Sequence, residues 1–314
     1  MVGSRDPGIE VLFACYNGAQ TLPAMLMALE GQLPTRRAWR IVAVDNASKD
    51  ETATILRSFA QRIPIEIVHE GNPGKTAALL AGSRRLRGDL TVLTDDDVIP
   101  NADWLQTYEN AADARPDYSL FGGPIVPHPI EELDPWWTVT EGYHDVLFAK
   151  TDHAEGPVDA PAHIFGPNFM ARTSVAIEAI GYMEGLGPDQ SATFGMGEDT
   201  VAIERVVADG AQAWFVPQAP VLHQLRHRYT TLPYMLGRAQ RKGRGVAALS
   251  VKGAGDIRGR MGFLLSSTAR GASQYVRQLG RSRQAPDRAL FVNLYSLNWH
   301  IGAIRGALKG PFVS

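Results

Sequence analysis

HEGNPGKTAALL, residues 69–80, and TVLTDDDV, residues 91–98, decide how this chain is read. A strand-like run from Ile65 to Val68 enters a glycine turn ending in Gly74-Lys75-Thr76, and an Ala/Leu run of helical type follows. The second stretch is an apolar strand ending in aspartates. Together they imitate a phosphate-binding P-loop and its acidic metal-binding strand, but the spacing disagrees. A P-loop follows G-x-x-x-x-G-K-[ST], because its first glycine lets backbone amides curl round the β-phosphate. Five residues before Gly74 stands His69, and Gly71 comes too late. The plain reading is a glycine/proline turn between strand and helix, with Lys75 on an exposed first turn. The aspartates then need another explanation.

Outward from these stretches, strand and helix alternate up to about residue 100. IEVLFACYN, WRIVAVDNAS, IEIVHE and DLTVLTDDD read as strands; TLPAMLMALEGQ, DETATILRSFAQRI and GKTAALLAGSRRL read as helices. Continuous apolar strands separated by helices predict an α/β fold whose mostly parallel sheet is covered on both faces. Its ligand belongs beyond the carboxyl ends of the strands, where Asn17, Asp45-Asn46, Glu70 and Asp95-Asp96-Asp97 lie. Residues 101–225 mix helices with strands broken by glycine and proline. Residues 226–314 read as basic helices with glycine breaks, giving a division at about 100 and 225.

The chain has 314 residues, enough for one large α/β domain or two modest ones. Hydrophobic residues make up 45% and charged residues 20%, a globular composition. A single cysteine, Cys15, excludes an intramolecular disulfide or a cysteine-built metal site and suits a reducing compartment. Neither a secretory signal nor a run of ~18 apolar residues is expected from the sequence. The net charge of −2 conceals a division: residues 226–314 carry +14 and residues 1–225 carry −16. Such asymmetry suits a basic tail that meets an anionic surface, or one that neutralises the acidic body in cis.

Alternation along an extended strand end would put Asp95 and Asp97 on one side and Asp96 on the other. Two carboxylates that close repel unless a cation lies between them, and hard divalent ions prefer oxygen ligands. A strand-terminating acidic turn explains the same residues without a metal. The ordered set VDNAS, GNPGKTAALLAGS, LTDDDVIPNADWL, GPNFMART, GEDT and VLH is more specific. From about residue 9 to 245 it resembles the inverting nucleotide-sugar glycosyltransferases of GT-A type, the large family that includes cellulose, hyaluronan and exopolysaccharide transferases.

The resemblance implies a GT-A fold in which residues 1–100 bind nucleotide, 101–225 bind acceptor and carry catalysis, and 226–314 form a helical basic segment. It places the uracil beside Ala14, Tyr16 and Asn17 and the carboxylate of Asp45, with Lys75 near the nucleotide. Asp95 matches the first acid of the Asp-x-Asp motif at the ribose and metal edge, with Asp96 beside it, and Asp97 matches the metal-binding acid. His223 is placed like a further ligand for Mn2+ or Mg2+. A strand-end histidine bonded to a carbonyl is the competing reading.

In GEDT, Asp199 is expected at a helix start, where amides and the macrodipole stabilise a carboxylate. The resemblance makes it the base that takes the acceptor proton, with Glu198 as the alternative. The chain departs from processive relatives, which carry Gln-x-x-Arg-Trp where this one reads YMLGRAQRKGRG. There Arg241 and Arg244 are expected either to close over the diphosphate or to lie on a solvated face. Transfer of a single sugar, from a nucleotide sugar (UDP above all) to a glycan or lipid-linked acceptor, fits better than polymerisation. The expected setting is the cytoplasm, peripheral to the inner face of the cytoplasmic membrane. Trp136-Trp137 suit a sugar platform or core packing equally. An apolar stripe at 290, 294, 297, 301, 304 and 308 suits a helix seam, in cis or in a homodimer. The alternatives of another class are a P-loop-like kinase or NTPase and a non-catalytic module binding nucleotide sugar or nucleic acid. The last lacks aromatics interleaved with the basic residues, so no nucleic-acid partner is expected.

Overall fold

The computed structural model describes residues 8–184, 187, 194–254 and 286–309. The strands are β1 (Ile9–Cys15), β2 (Trp39–Asp45), β3 (Ile65–His69), β4 (Leu90–Thr94), β5 (Val98–Pro100), β6 (Leu120–Gly122), β7 (Ile125–Pro129), β8 (Gly156–Pro157), β9 (Asn168–Arg172), β10 (Ala213–Phe215) and β11 (Val221–Leu225). The helices are α1 (Leu22–Glu30), α2 (Thr52–Phe59), α3 (Lys75–Ser83), α4 (Trp104–Ala114), α5 (Trp136–Val139), α6 (His144–Phe148), α7 (Ala160–His163), α8 (Thr173–Tyr182), α9 (Glu198–Ala208), α10 (His227–Thr230), α11 (Leu232–Ala254) and α12 (Pro286–Lys309).

The chain divides into two compact units. The first comprises the chain through His128, Phe148–Glu184 and Asp199–Gln224. Its sheet runs β3-β2-β1-β4-β9-β6-β10-β8. The first four strands are mutually parallel, and β9 runs antiparallel between β4 and β6. The expected α/β sheet, mostly parallel, is therefore present. Its apolar strands are continuous because both faces are covered. Val11, Phe13 and Cys15 enter one core with α1, α2 and α4, while Leu12, Val42 and Val44 enter another with α3 and α8. A second, three-stranded sheet runs β5-β11-β7.

The second unit comprises Pro129–Leu147, Gly185–Glu198 and the chain from Leu225. Its centre is the pair α11 and α12, whose backbones approach closely through small residues. A Cβ on Gly302 would lie 1.9 Å from the Gln240 carbonyl oxygen, and one on Gly243 would lie 2.0 Å from that of Trp299. Ala247, Ala303 and Ala307 fill the seam. The seam expected from the leucine/isoleucine stripe is thus not the one that packs in cis. Leu290, Leu297 and Leu308 are exposed, at 48%, 55% and 69%. Close approach selects glycine and alanine, which a stripe search for large apolar residues overlooks. Of the tryptophan pair, Trp137 stacks on His144 at 3.7 Å and Trp136 lies 6.3 Å from Phe291, both contacts within this unit. Both side chains make ring contacts yet stay half-exposed, so neither is a core residue. The basic stretch 255–285 lies outside the described residues. Among those described, no helix is long and apolar enough to cross a membrane.

Candidate functional site

The three aspartates link the two sheets of the first unit: β4 ends at Thr94, and β5 begins at Val98 in the smaller sheet. Asp96 and Asp97 occupy a turn, so the strand alternation expected for them does not apply. Each acid takes its own direction. Asp95 Oδ1 pairs with Nζ of Lys75 on the first turn of α3. Asp97 Oδ2 faces His223 Nε2 at 3.5 Å. Asp96, expected to point away from its neighbours' chemistry, instead abuts the loop after β1, where a Cβ on Gly18 would lie 2.3 Å from its Oδ2. Burial, reinforced by Asp97 and Asp95, holds its carboxyl well above the ordinary range, against the opposing pull of Lys75.

His223 lies on β11, which pairs antiparallel with β5 and brings His223 opposite Val98. The contact with a carbonyl expected of a strand-end histidine is present. Its Nδ1 lies 3.0 Å from the Phe148 carbonyl oxygen, which can only accept, so Nδ1 carries the proton. That fixes the tautomer and presents Nε2 to Asp97, the usual support for a ligating imidazole. Burial pulls the imidazole pKa down, and the Asp97 carboxylate, with the Phe148 carbonyl and Asp95 adding to it, leaves the group raised. A paired carboxylate oxygen and imidazole nitrogen fit a divalent ion of intermediate hardness such as Mn2+ better than an all-oxygen Ca2+ cage. Among the described residues no group of three or more His, Cys, Asp or Glu could hold a metal alone. The remaining ligands would have to come from a bound molecule or water.

The nucleotide-side residues gather at the ends of β1 and β2. Asp45 is buried and accepts the Ser48 amide at 3.2 Å; Ala14 is half-buried in β1, and Tyr16 is exposed. Asn17 adopts a left-handed φ of 52° and is tied to the loop after β2. Its amide donates to Ser48 Oγ at 3.1 Å, and its Oδ1 accepts the Lys49 amide at 2.8 Å. Cys15 is buried, and burial followed by Asp96 and Asp45 raises its thiol well above its usual value, which unfits it as a nucleophile.

Asn46, which the sequence places with Asp45 at a strand end, has a role there that the sequence does not show. Its Nδ2 donates to the carbonyls of Glu70 and Asn72 at 3.2 and 2.8 Å, and its Oδ1 accepts the Gly74 amide at 2.6 Å. One side chain thereby fixes the whole glycine turn. The Gly74 amide that a P-loop would aim at phosphate is already used.

Asp199 stands in the first turn of α9, as expected. Its Oδ1 accepts the Thr200 amide at 2.8 Å, and its Oδ2 accepts the Gly166 amide at 3.0 Å. Gly166 belongs to the turn before β9, and a Cβ there would lie 3.1 Å from Oδ2. Glu198 is buried, and its Oε2 accepts the Gly197 amide of its own loop. Arg241 and Arg244 belong to the second unit. Arg241 lies over the rings of Phe194 and Tyr234 at 5.2 and 5.5 Å, while Arg244 is only 4% exposed. Neither Nε has a hydrogen-bond partner among the described residues. Burial lowers both guanidinium pKa values, with Arg238 adding to the effect on Arg241 and Arg305 on Arg244. The solvated-face alternative does not describe Arg244.

The model of the family described as "Glycosyl transferase family 2" matches residues 10–175, more than half the chain and the stretch from β1 through the acidic turn to β9. The chain belongs to glycosyltransferase family 2. An undecaprenyl-phosphate 4-deoxy-4-formamido-L-arabinose transferase of Pseudomonas aeruginosa is 35% identical over 94 residues, 29% of this chain and 28% of the relative. The match thus spans little more than a quarter of that relative's length. Glycosyltransferase AglE of Haloferax volcanii is 25% identical over 56% of this chain and 63% of its own. Among solved structures, mannosyltransferase PcManGT from Pyrobaculum calidifontis, in complex with GDP-Man and Mn2+, superposes with a TM-score of 0.60 at 18% identity. That superposition covers 96% of this chain and 88% of the other. S. aureus TarS 1-349 in complex with UDP-GlcNAc gives 0.54 at 13% identity, over 94% and 90%. The fold of this family member is GT-A.

Proposed function

We propose that this chain is a metal-dependent, inverting transferase that moves one sugar from a nucleotide sugar, UDP-linked above all, to a lipid-linked or polysaccharide precursor. The observation that carries the reading is the acidic turn, where Asp97 faces a tautomer-fixed His223 while Lys75 holds Asp95. In this reading Ala14 to Asn17 and Asp45 line the base, and Asp95 and Asp96 border the ribose. A divalent ion held by Asp97 and His223 would offset the charge growing on the leaving diphosphate. Asp199 takes the proton of the acceptor hydroxyl as its oxygen bonds to the anomeric carbon and the bond to the diphosphate breaks with its electron pair. A lipid-linked acceptor is favoured because the Pseudomonas relative is named for undecaprenyl phosphate; the base role of Asp199 applies to an acceptor that presents a hydroxyl. The kinase alternative is disfavoured by the occupied Gly74 amide.

The test is a thermal-shift screen of UDP-, GDP- and dTDP-sugars and of ATP, with and without Mn2+. A nucleotide sugar at a hundredfold its Kd should add about 2.7 kcal/mol of stability by mass action. That stabilisation should need Mn2+. Stabilisation by ATP alone, or by nucleotide sugars equally with and without metal, would overturn the reading.

The setting proposed is an anionic membrane surface. It rests on the +14 balance of residues 226–314 and on the exposed Leu290, Leu297 and Leu308 of α12. Each cation that reaches an anionic leaflet contributes about 1 kcal/mol, screened within a Debye length. Full-length protein should therefore co-sediment with phosphatidylglycerol vesicles at low salt and less at high salt. Leu297→Glu with Leu308→Glu should weaken it further. Indifference to both salt and substitution would favour α12 as a dimer face, which a mass measurement would then have to show.

A further inference from the structure

We propose that Thr94 is a positioning residue that registers the donor-side aspartates against Asp199; the inference rests on the transferase reading above. Thr94 ends β4, immediately before Asp95, and is 2% exposed. Its Oγ1 donates to the Pro167 carbonyl at 2.8 Å. The preceding residue, Gly166, donates its amide to Asp199 Oδ2 at 3.0 Å. Two hydrogen bonds and one peptide link thus connect the backbone that carries Asp95 to the carboxylate that takes the proton, all within the first unit.

The connecting turn is stiff. Asn168 closes it by donating its amide to the Phe165 carbonyl at 3.1 Å. The Asn168 side chain, wholly buried, donates to the carbonyls of Pro124 and Ala219 and accepts from Trp104 Nε1 and Tyr108 Oη. With that end fixed, the Thr94 hydroxyl sets where the Gly166 amide lies relative to the acidic turn. Strand pairing does not call for it, since Thr94 already pairs with Asn168 in the β4–β9 register and valine suits a buried strand, although valine would leave the Pro167 carbonyl without this donor. Transfer requires the anomeric carbon, placed from the Asp95–Asp97 side, to meet an acceptor oxygen placed from the Asp199 side. A displacement of about 1 Å between such groups can cost about a hundredfold in rate.

The experiment compares Thr94→Val, Thr94→Ser and Asp199→Asn in the full chain. UDP affinity is measured with Mn2+. UDP release is measured from the donor that the screen selects, with a hydroxyl-bearing glycan or water as acceptor. Thr94→Val should lower kcat by roughly 10- to 100-fold, leave UDP affinity unchanged, and speed hydrogen exchange of the Gly166 amide. Thr94→Ser should restore both. Wild-type turnover in Thr94→Val, parallel losses of kcat and UDP affinity, or failure of serine to restore the rate would each overturn the relay. If the valine variant does not fold, Gly166→Ala tests the other end, where the same loss of kcat without loss of UDP affinity is expected and its absence is decisive. Full turnover by Asp199→Asn would remove the transferase base, and the relay with it. An inactive Asp199→Asn beside a fully active Thr94→Val removes the relay alone.

Discussion

Asp97→Ala abolishes Mn2+-dependent UDP binding, so the stabilisation that UDP gives in the presence of Mn2+ falls to the metal-free level. The expectation follows from how few protein ligands the site offers. Asp97 and His223 face each other at 3.5 Å, and among the described residues no third acid, histidine or cysteine completes a set. Removing the carboxylate leaves one neutral imidazole, too little to hold a divalent ion against water. At a hundredfold excess over Kd the loss corresponds to about 2.7 kcal/mol. His223→Ala should cost less, because the carboxylate keeps the charge and diphosphate oxygens can fill the vacated position. Isothermal titration of UDP with and without Mn2+ measures both. Full metal-dependent affinity in Asp97→Ala would remove Asp97 from the metal site and leave the acidic turn as a structural feature.

The parallel sheet is legible because burial on both faces writes itself into sequence as unbroken apolar strands, and the polar residues at their carboxyl ends mark the candidate site. What could not be read was direction. Period-two logic predicts that Asp96 opposes Asp95 and Asp97, but the chain leaves one sheet and enters another at these residues, and a turn replaces the alternation. The hydrogen-bonding roles of Asn46, Thr94 and Asn168 were equally hidden. VDNAS, LTDDDV and GPNFMART stand out as motifs, yet the partners of these side chains lie 24 to 73 positions away in sequence. Only the folded register supplies such partners. The α11–α12 seam is hidden from the sequence for a different reason. Its glycines matter through what they lack, and hydrophobic periodicity does not register an absent side chain.

Asp199→Asn should leave Mn2+-dependent UDP affinity near wild type and reduce transfer by roughly 10²- to 10⁴-fold, the usual contribution of a positioned base. The amide preserves the size of the side chain and can still accept the Gly166 and Thr200 amides through its single carbonyl oxygen. It cannot take a proton. The loss should therefore appear in kcat and leave donor binding unaffected, the pattern of an interaction made only as the acceptor oxygen attacks. Glu198 is the residue that must be excluded, since a neighbouring carboxylate can stand in for a lost base. The structure argues against substitution, because Glu198 is buried with its Oε2 turned back to the Gly197 amide. Glu198→Gln should accordingly retain most of the transfer rate. The informative measurement is UDP release at saturating donor for each single variant and for the pair. If Glu198→Gln is the inactive one and Asp199→Asn turns over normally, the base is Glu198, and the hydrogen bonds around Asp199 serve only to start α9.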